Sequence, residues 1–166
     1  MMKPKLGLTD TQREGVINTL NKVLADQHVL YTKLRNYHWN ITGPEFFALH
    51  ELFEKQYNAV KESADVVAER VRAHGGNAIG TLQEFLDNTR LKEKTNDYPS
   101  AQKMVTNLVE DHEAVVRALR EDSEMCAEEY NDSATEDLLI GLLQEHEEMA
   151  WMLRSFVEGR PIKGDK

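Results

Sequence analysis

The sequence predicts an all-α protein: a bundle of four long helices, with a short extra helix in a long crossover between the second and the third. Three observations carry this expectation. Glycine and proline are sparse, 9 and 4 in 166 residues, and they cluster at few points. Between those points the apolar residues recur at helical spacing, and no segment reads as a strand. The connections fall short, long, short, which dictates how the helices pair.

The first helix is expected from about Thr9 to Tyr37, where Val16, Leu20, Val23, Leu24, Leu30 and Leu34 step by threes, fours and their sums. Thr11 with Glu14 offers its capping box. Asn40 to Pro44 breaks it, with Pro44 suited to the first turn of a second helix that runs to His74. Gly75-Gly76 stops that helix, and so short a connection makes the first two helices an antiparallel hairpin. Residues 76–99 form the crossover, in which Thr81 and Glu84 open a short helix ending near Thr89. The third long helix starts near Ser100, after Pro99, and ends about Tyr130. The fourth starts at Ser133, with Glu136 as capping partner, and ends at Gly159 before Pro161. Each long helix would span ~40–45 Å, a length the crossover has to retrace. Hairpin, long crossover, hairpin is the order of ferritin-like bundles. One such domain is expected over residues 1–166, with residues 1–8 and 160–166 as flexible tails.

Acidic residues outnumber basic ones, 29 to 20, for a net charge of -9. Such a surface attracts cations and disfavours nucleic acid. The single cysteine, Cys126, excludes a disulfide framework and a cysteine zinc site; it reads as a small buried residue. Nothing approaches the ~20 apolar residues of a membrane span, and the first thirty residues hold no signal-peptide core. The expected location is therefore cytoplasmic, without a membrane partner.

Di-iron bundles commonly carry Glu-x-x-His motifs. None occurs here: the residues three before the histidines are Ala25, Arg35, Phe47, Val71, Val109 and Leu143. His-Glu-x-x-His is missing too, so neither an iron pair inside one bundle nor a metallopeptidase is expected. The second helix shows another pattern. His50, Glu54, Asp65 and Glu69 fall within a ~100° sector of one face. Yet His50 and Glu69 lie ~28 Å apart along the axis. A two-fold axis across this helix would resolve the conflict, because it brings residue i to residue j where i + j is constant. His50 with Glu69 sums to 119, as does Glu54 with Asp65, and both pairs close around Ala59-Val60. Two copies would then build two identical sites. His38, just before the turn, should lie beside His50. Histidine and carboxylate together suit iron, manganese or zinc. Taken one pair at a time, these carboxylates look like an ordinary solvated face.

Asn36-Tyr37-His38-Trp39-Asn40-Ile41-Thr42-Gly43, then Phe46-Phe47 and Leu49-His50-Glu51-Leu52-Phe53-Glu54, resemble the signature of the Dps family, the DNA-binding proteins from starved cells, or miniferritins. Asp65-Val66-Val67-Ala68-Glu69-Arg70 before Gly75-Gly76 is similar to that family's second signature. The resemblance implies a dodecamer built from two-fold dimers. This hollow shell oxidises Fe(II), usually with hydrogen peroxide, and stores the ferric mineral, protecting against oxidative stress. It implies ferroxidase sites at the dimer interface, made of His38, His50 and Glu54 from one subunit and Asp65 and Glu69 from its neighbour. Members often have Asp at the position of Glu54. Each site would hold up to two iron ions, with zinc or manganese as substitutes. Trp39 would lie near the iron and take up oxidising equivalents. Asp137, and more weakly Asp132 and Glu128, would line an iron-entry pore on a three-fold axis.

Family members that bind DNA use a mobile Lys-rich tail. Here the tails offer Lys3 and Lys5, then Arg160, Lys163 and Lys166 offset by Asp165. Nucleoid association and DNA compaction are the alternative function, and weak DNA retention is the expectation. A third reading is a non-catalytic bundle whose interface histidines and carboxylates merely hold the oligomer together. His112 and His146 sit in polar stretches expected on solvated outer faces. Trp151, with Met149 and Met152, is expected in the core.

Overall fold

A computed structural model describes residues 4–159 and residue 162. Part of both expected tails, with Lys3, Arg160, Lys163, Asp165 and Lys166, lies outside the described residues. The helices are α1 (Asp10–Asn40), α2 (Phe46–Ala73), α3 (Leu82–Asn88), α4 (Ala101–Glu128) and α5 (Ser133–Val157). No strand occurs among the described residues. α1 packs along α2 and α4 along α5; α1 also meets α4, α2 meets α5, and α3 lies on α1. The all-α bundle with a short helix in its crossover is therefore observed.

Local chemistry sets the boundaries. α1 opens with a capping box of Thr9 and Gln12, not Thr11 and Glu14. The box lies ahead of the first apolar residue, so periodicity alone could not see it. α2 starts at Phe46, beyond Gly43 at φ 108 and Pro44. It ends in two bonds typical of a glycine-terminated helix, Gly75 N to Arg72 O at 2.9 Å and Gly76 N to Val71 O at 3.1 Å, with Gly75 at φ 78. Thr81 and Glu84 cap α3 as expected, and Ser100 caps α4. The α5 cap is Asp132 rather than Ser133: its carboxylate accepts from the Thr135 amide.

Leu20, Leu24, Leu30, Leu34, Leu49 and Phe53 meet Leu108, Leu119, Leu139 and Leu153 in the fully buried centre. Cys126 is buried as expected, and burial pushes its thiol up to about 12. At the bundle's end the Tyr130 ring packs onto Gly15, where a Cβ would stand 2.4 Å from ring carbons. The crossover is clipped down by one buried carboxylate. Asp26 accepts from the Arg90 amide at 2.7 Å, the Arg90 Nε at 2.8 Å and the Thr89 hydroxyl at 2.9 Å. Arg90 then reaches Asp122 of α4 at 2.8 Å.

Two side-chain expectations are corrected. His112 and His146 are 0% exposed. Their neighbours in sequence are charged, but His112 follows Leu108 by four, His146 follows Leu142 by four, and each faces inward. Trp151 is 59% exposed: Ala150 and Leu153 hold the inner face of α5, and Trp151 is turned off it.

Candidate metal centre

The end of α1 and the start of α2 bring His38 and His50 together. Their rings stack with centroids 3.7 Å apart and planes 18° apart. Nδ1 of His38 lies 2.8 Å from the His50 carbonyl oxygen, and Nδ1 of His50 lies 2.8 Å from the His38 carbonyl oxygen. A carbonyl only accepts, so each Nδ1 carries the proton and donates it. In the neutral ring Nε2 then keeps its lone pair, the state a metal requires. Phe46 stacks on His50 at 4.9 Å, and Tyr57 sets its ring edge-on to His38 at 5.3 Å. Both imidazoles are thus oriented before any ion arrives. His38 is 8% exposed and His50 half-buried.

Glu54 is exposed one turn beyond His50, and its Oε1 accepts from the Tyr57 hydroxyl at 3.2 Å. Burial first, and the neighbouring Glu54 second, raise the Tyr57 phenol above its ordinary value. Asp65 and Glu69 are exposed farther along the same helix. Asp65 borders an open hollow with His28, Tyr31 and Lys61. Among the described residues of one chain, no three His, Cys, Asp or Glu side chains converge on a common point. One chain therefore presents two half-sets: two oriented nitrogens with Glu54, and a carboxylate pair. Exposed Ala59 stands between them. Nitrogen and carboxylate oxygen are the donor types that suit a divalent first-row ion.

Trp39 projects outward from the same turn, 64% exposed, with the Arg35 guanidinium 4.5 Å above its ring. The expected pore residues separate into two kinds. Glu128 and Asp137 are exposed beside the turn between α4 and α5. Asp132 is buried and already committed: besides capping α5, it accepts from His74 Nε2 at 2.8 Å and Arg70 Nη2 at 3.2 Å. Burial works to raise its carboxyl. The bonds from Thr135 and His74 and the Arg70 charge outweigh burial and hold it below the usual range. Its oxygens face protein donors, so within one chain it is a structural clasp between α2 and α5. Tyr57 was not singled out from the sequence, although its spacing of three from Glu54 is the signal that would have found it.

Comparison with known proteins agrees with this fold. The model of the ferritin-like domain matches residues 17–160. The chain is 50% identical over 163 residues to an uncharacterized low temperature-induced protein of Nostoc, covering 98% of this chain and 91% of that one. It is 41% identical over 142 residues to DNA protection during starvation protein 2 of Bacillus anthracis, covering 86% and 96%. A crystal structure of a Dps protein from Bacillus brevis superposes with a TM-score of 0.85 at 38% identity, covering 91% and 100%. DpsC from Streptomyces coelicolor superposes with a TM-score of 0.91 at 31% identity, covering 97% and 93%. A Vibrio cholerae Dps protein, described as a member of the ferritin-like diiron-carboxylate proteins, reaches 0.86 at 31% identity, covering 95% and 99%.

Proposed function

Because the chain belongs to the Dps family of ferritin-like proteins, we propose that it oxidises Fe(II), preferentially with hydrogen peroxide, at sites shared by two copies, and stores the ferric product inside a hollow dodecamer. The observation that carries this reading is the His38–His50 pair, whose reciprocal bonds leave two adjacent Nε2 lone pairs. His38, His50 and Glu54 of one copy meet Asp65 and Glu69 of another. Hard carboxylate oxygens favour Fe(III) over Fe(II) and so favour oxidation. Two Fe(II) ions give one electron each to one peroxide, which takes up two protons and leaves as two waters. No unpaired electron remains on oxygen, which is how such a site protects its surroundings. Zinc or manganese ions match the same donors. Fe(II) enters past Asp137 and Glu128, whose exposed carboxylates attract cations.

The test adds the protein to Fe(II) and peroxide and follows iron consumption and hydroxyl-radical trapping. Faster oxidation with fewer trapped radicals than in buffer is expected. A rate equal to buffer contradicts the reading.

A further inference from the structure

α2 and α5 leave a hollow of about 130 Å³ between them, lined by Lys55 and Gln56 of α2 and by Glu145, Glu148, Met149 and Met152 of α5. The four α5 residues fall within a ~100° sector of one helix face, so two carboxylates and two thioethers share one stripe. Met149 is buried and Met152 half-buried, with Glu145 and Glu148 exposed beside them. Gln56 is 1% exposed. Its Nε2 donates to the Met149 carbonyl oxygen at 3.1 Å. A carbonyl only accepts, so the amide is fixed with Oε1 as its free end. That oxygen is buried without a hydrogen-bond partner, a costly state for an acceptor. Burial first, then Glu148 and Glu62, raise the Glu145 carboxyl, and a cation beside it relieves that repulsion. Lys55 is exposed, with its ammonium free to turn to solvent. The Met104 side chain lies in the core, and the Met125 sulfur accepts from Tyr130.

We propose that this hollow binds one Cu(I) ion per chain through the Met149 and Met152 thioethers and the Gln56 carbonyl oxygen, with Glu145 and Glu148 balancing its charge. Thioether sulfur is a soft donor that selects Cu(I), whereas magnesium and manganese prefer sites made of oxygen alone. The hollow opens between two helices, which gives the ion a way in. The proposal is independent of the ferroxidase reading, because it uses none of His38, His50, Glu54, Asp65 and Glu69. No electron moves; the ion is held as Cu(I).

The experiment titrates the metal-free assembled protein with Cu(I) under argon against bicinchoninate, a coloured Cu(I) chelator. The wild type is compared with a His38→Ala/His50→Ala variant, which removes the competing imidazoles. One Cu(I) per chain is expected in both. Affinity should fall at least ~10-fold in M149L/M152L, a change that conserves volume and should leave assembly and the rate of Fe(II) oxidation as they were. A second measurement keeps both methionines. With carbon-13 in the methionine methyl groups, Ag(I), a stand-in for Cu(I) that is not oxidised by air, should shift the Met149 and Met152 resonances and leave Met104 and Met125 in place. Equal Cu(I) affinity in M149L/M152L and wild type, binding that depends on His38 and His50 alone, or Met149 and Met152 resonances unmoved by Ag(I) overturns the proposal. The ferroxidase reading stands or falls on its own iron assay, whichever result copper gives.

Discussion

His38 and His50 each donate Nδ1–H to the other's backbone carbonyl at 2.8 Å. This reciprocal clasp ties the last turn of α1 to the first turns of α2 and fixes both rings in one tautomer. Folding of the hairpin and orientation of the two imidazoles are therefore one event. Replacing His50 by Ala removes one proposed ligand and the ring stacked on His38, while the backbone carbonyl that accepts from His38 Nδ1 remains. Fe(II) affinity should fall at least ~10–100-fold, the usual range for losing support of a metal site. Isothermal titration with Fe(II) under anaerobic conditions checks this, and unchanged affinity contradicts the assignment.

The buried histidines predict a pH dependence of stability. Gln27 of α1, Ser63 of α2, His112 of α4 and His146 of α5 form one polar layer, with His112 Nδ1 and His146 Nδ1 2.9 Å apart. Burial holds His146 down to about 4 and His112 well below 6.5. Folded-state values lie below unfolded ones, so the unfolded chain binds more protons between these limits. Stability is complete above pH ~6.5 and falls as pH drops toward ~4, by up to about 1.4 kcal/mol per pH unit for each histidine. Urea unfolding across this window should show the slope, and H112Q/H146Q should flatten it. His28, half-buried on Phe85 and also lowered, remains in that variant and leaves a weaker slope.

Asp26 predicts a stability loss far from the site. Its buried carboxylate serves Thr89 and Arg90 together. Asp26→Ala strands those donors and should cost about 3 kcal/mol, as breaking a buried pair does. Denaturation at fixed protein concentration measures it, and a loss near zero contradicts the clip.

DNA should be held weakly. The net charge of -9 repels phosphate, and Lys5 is the one exposed basic residue among the described part of the tails. No gel shift is expected at neutral pH and physiological salt. A salt-sensitive shift at low micromolar protein contradicts this.

Much of this was legible in the chain. Apolar spacing, capping boxes and the Gly and Pro breaks placed all five helices, and the short spacing across the turn foretold that His38 lies beside His50. What escaped depends on contacts across the fold. The His38–His50 clasp uses backbone carbonyls, which carry no sequence signal. His112 and His146 were misplaced because charged neighbours masked their position on the apolar stripe, where Val115 and Met149 three residues later mark the inner face. Asp132 looked like one acid among several in a turn. Only folding shows that His74, Arg70 and Thr135 surround it.

The central claim is that neither chain alone completes a site. One variant lacks His38 and His50; another lacks Asp65 and Glu69. Each pure oligomer should lose fast Fe(II) oxidation, because every shared site loses two of its five proposed ligands. In a mixed dimer one interface site joins the two intact halves and the other joins the two defective ones. Co-assembled oligomers should therefore recover activity, up to about half of wild type if mixed dimers dominate. Mixed oligomers as inactive as the pure ones, with assembly intact in all, would contradict the shared site.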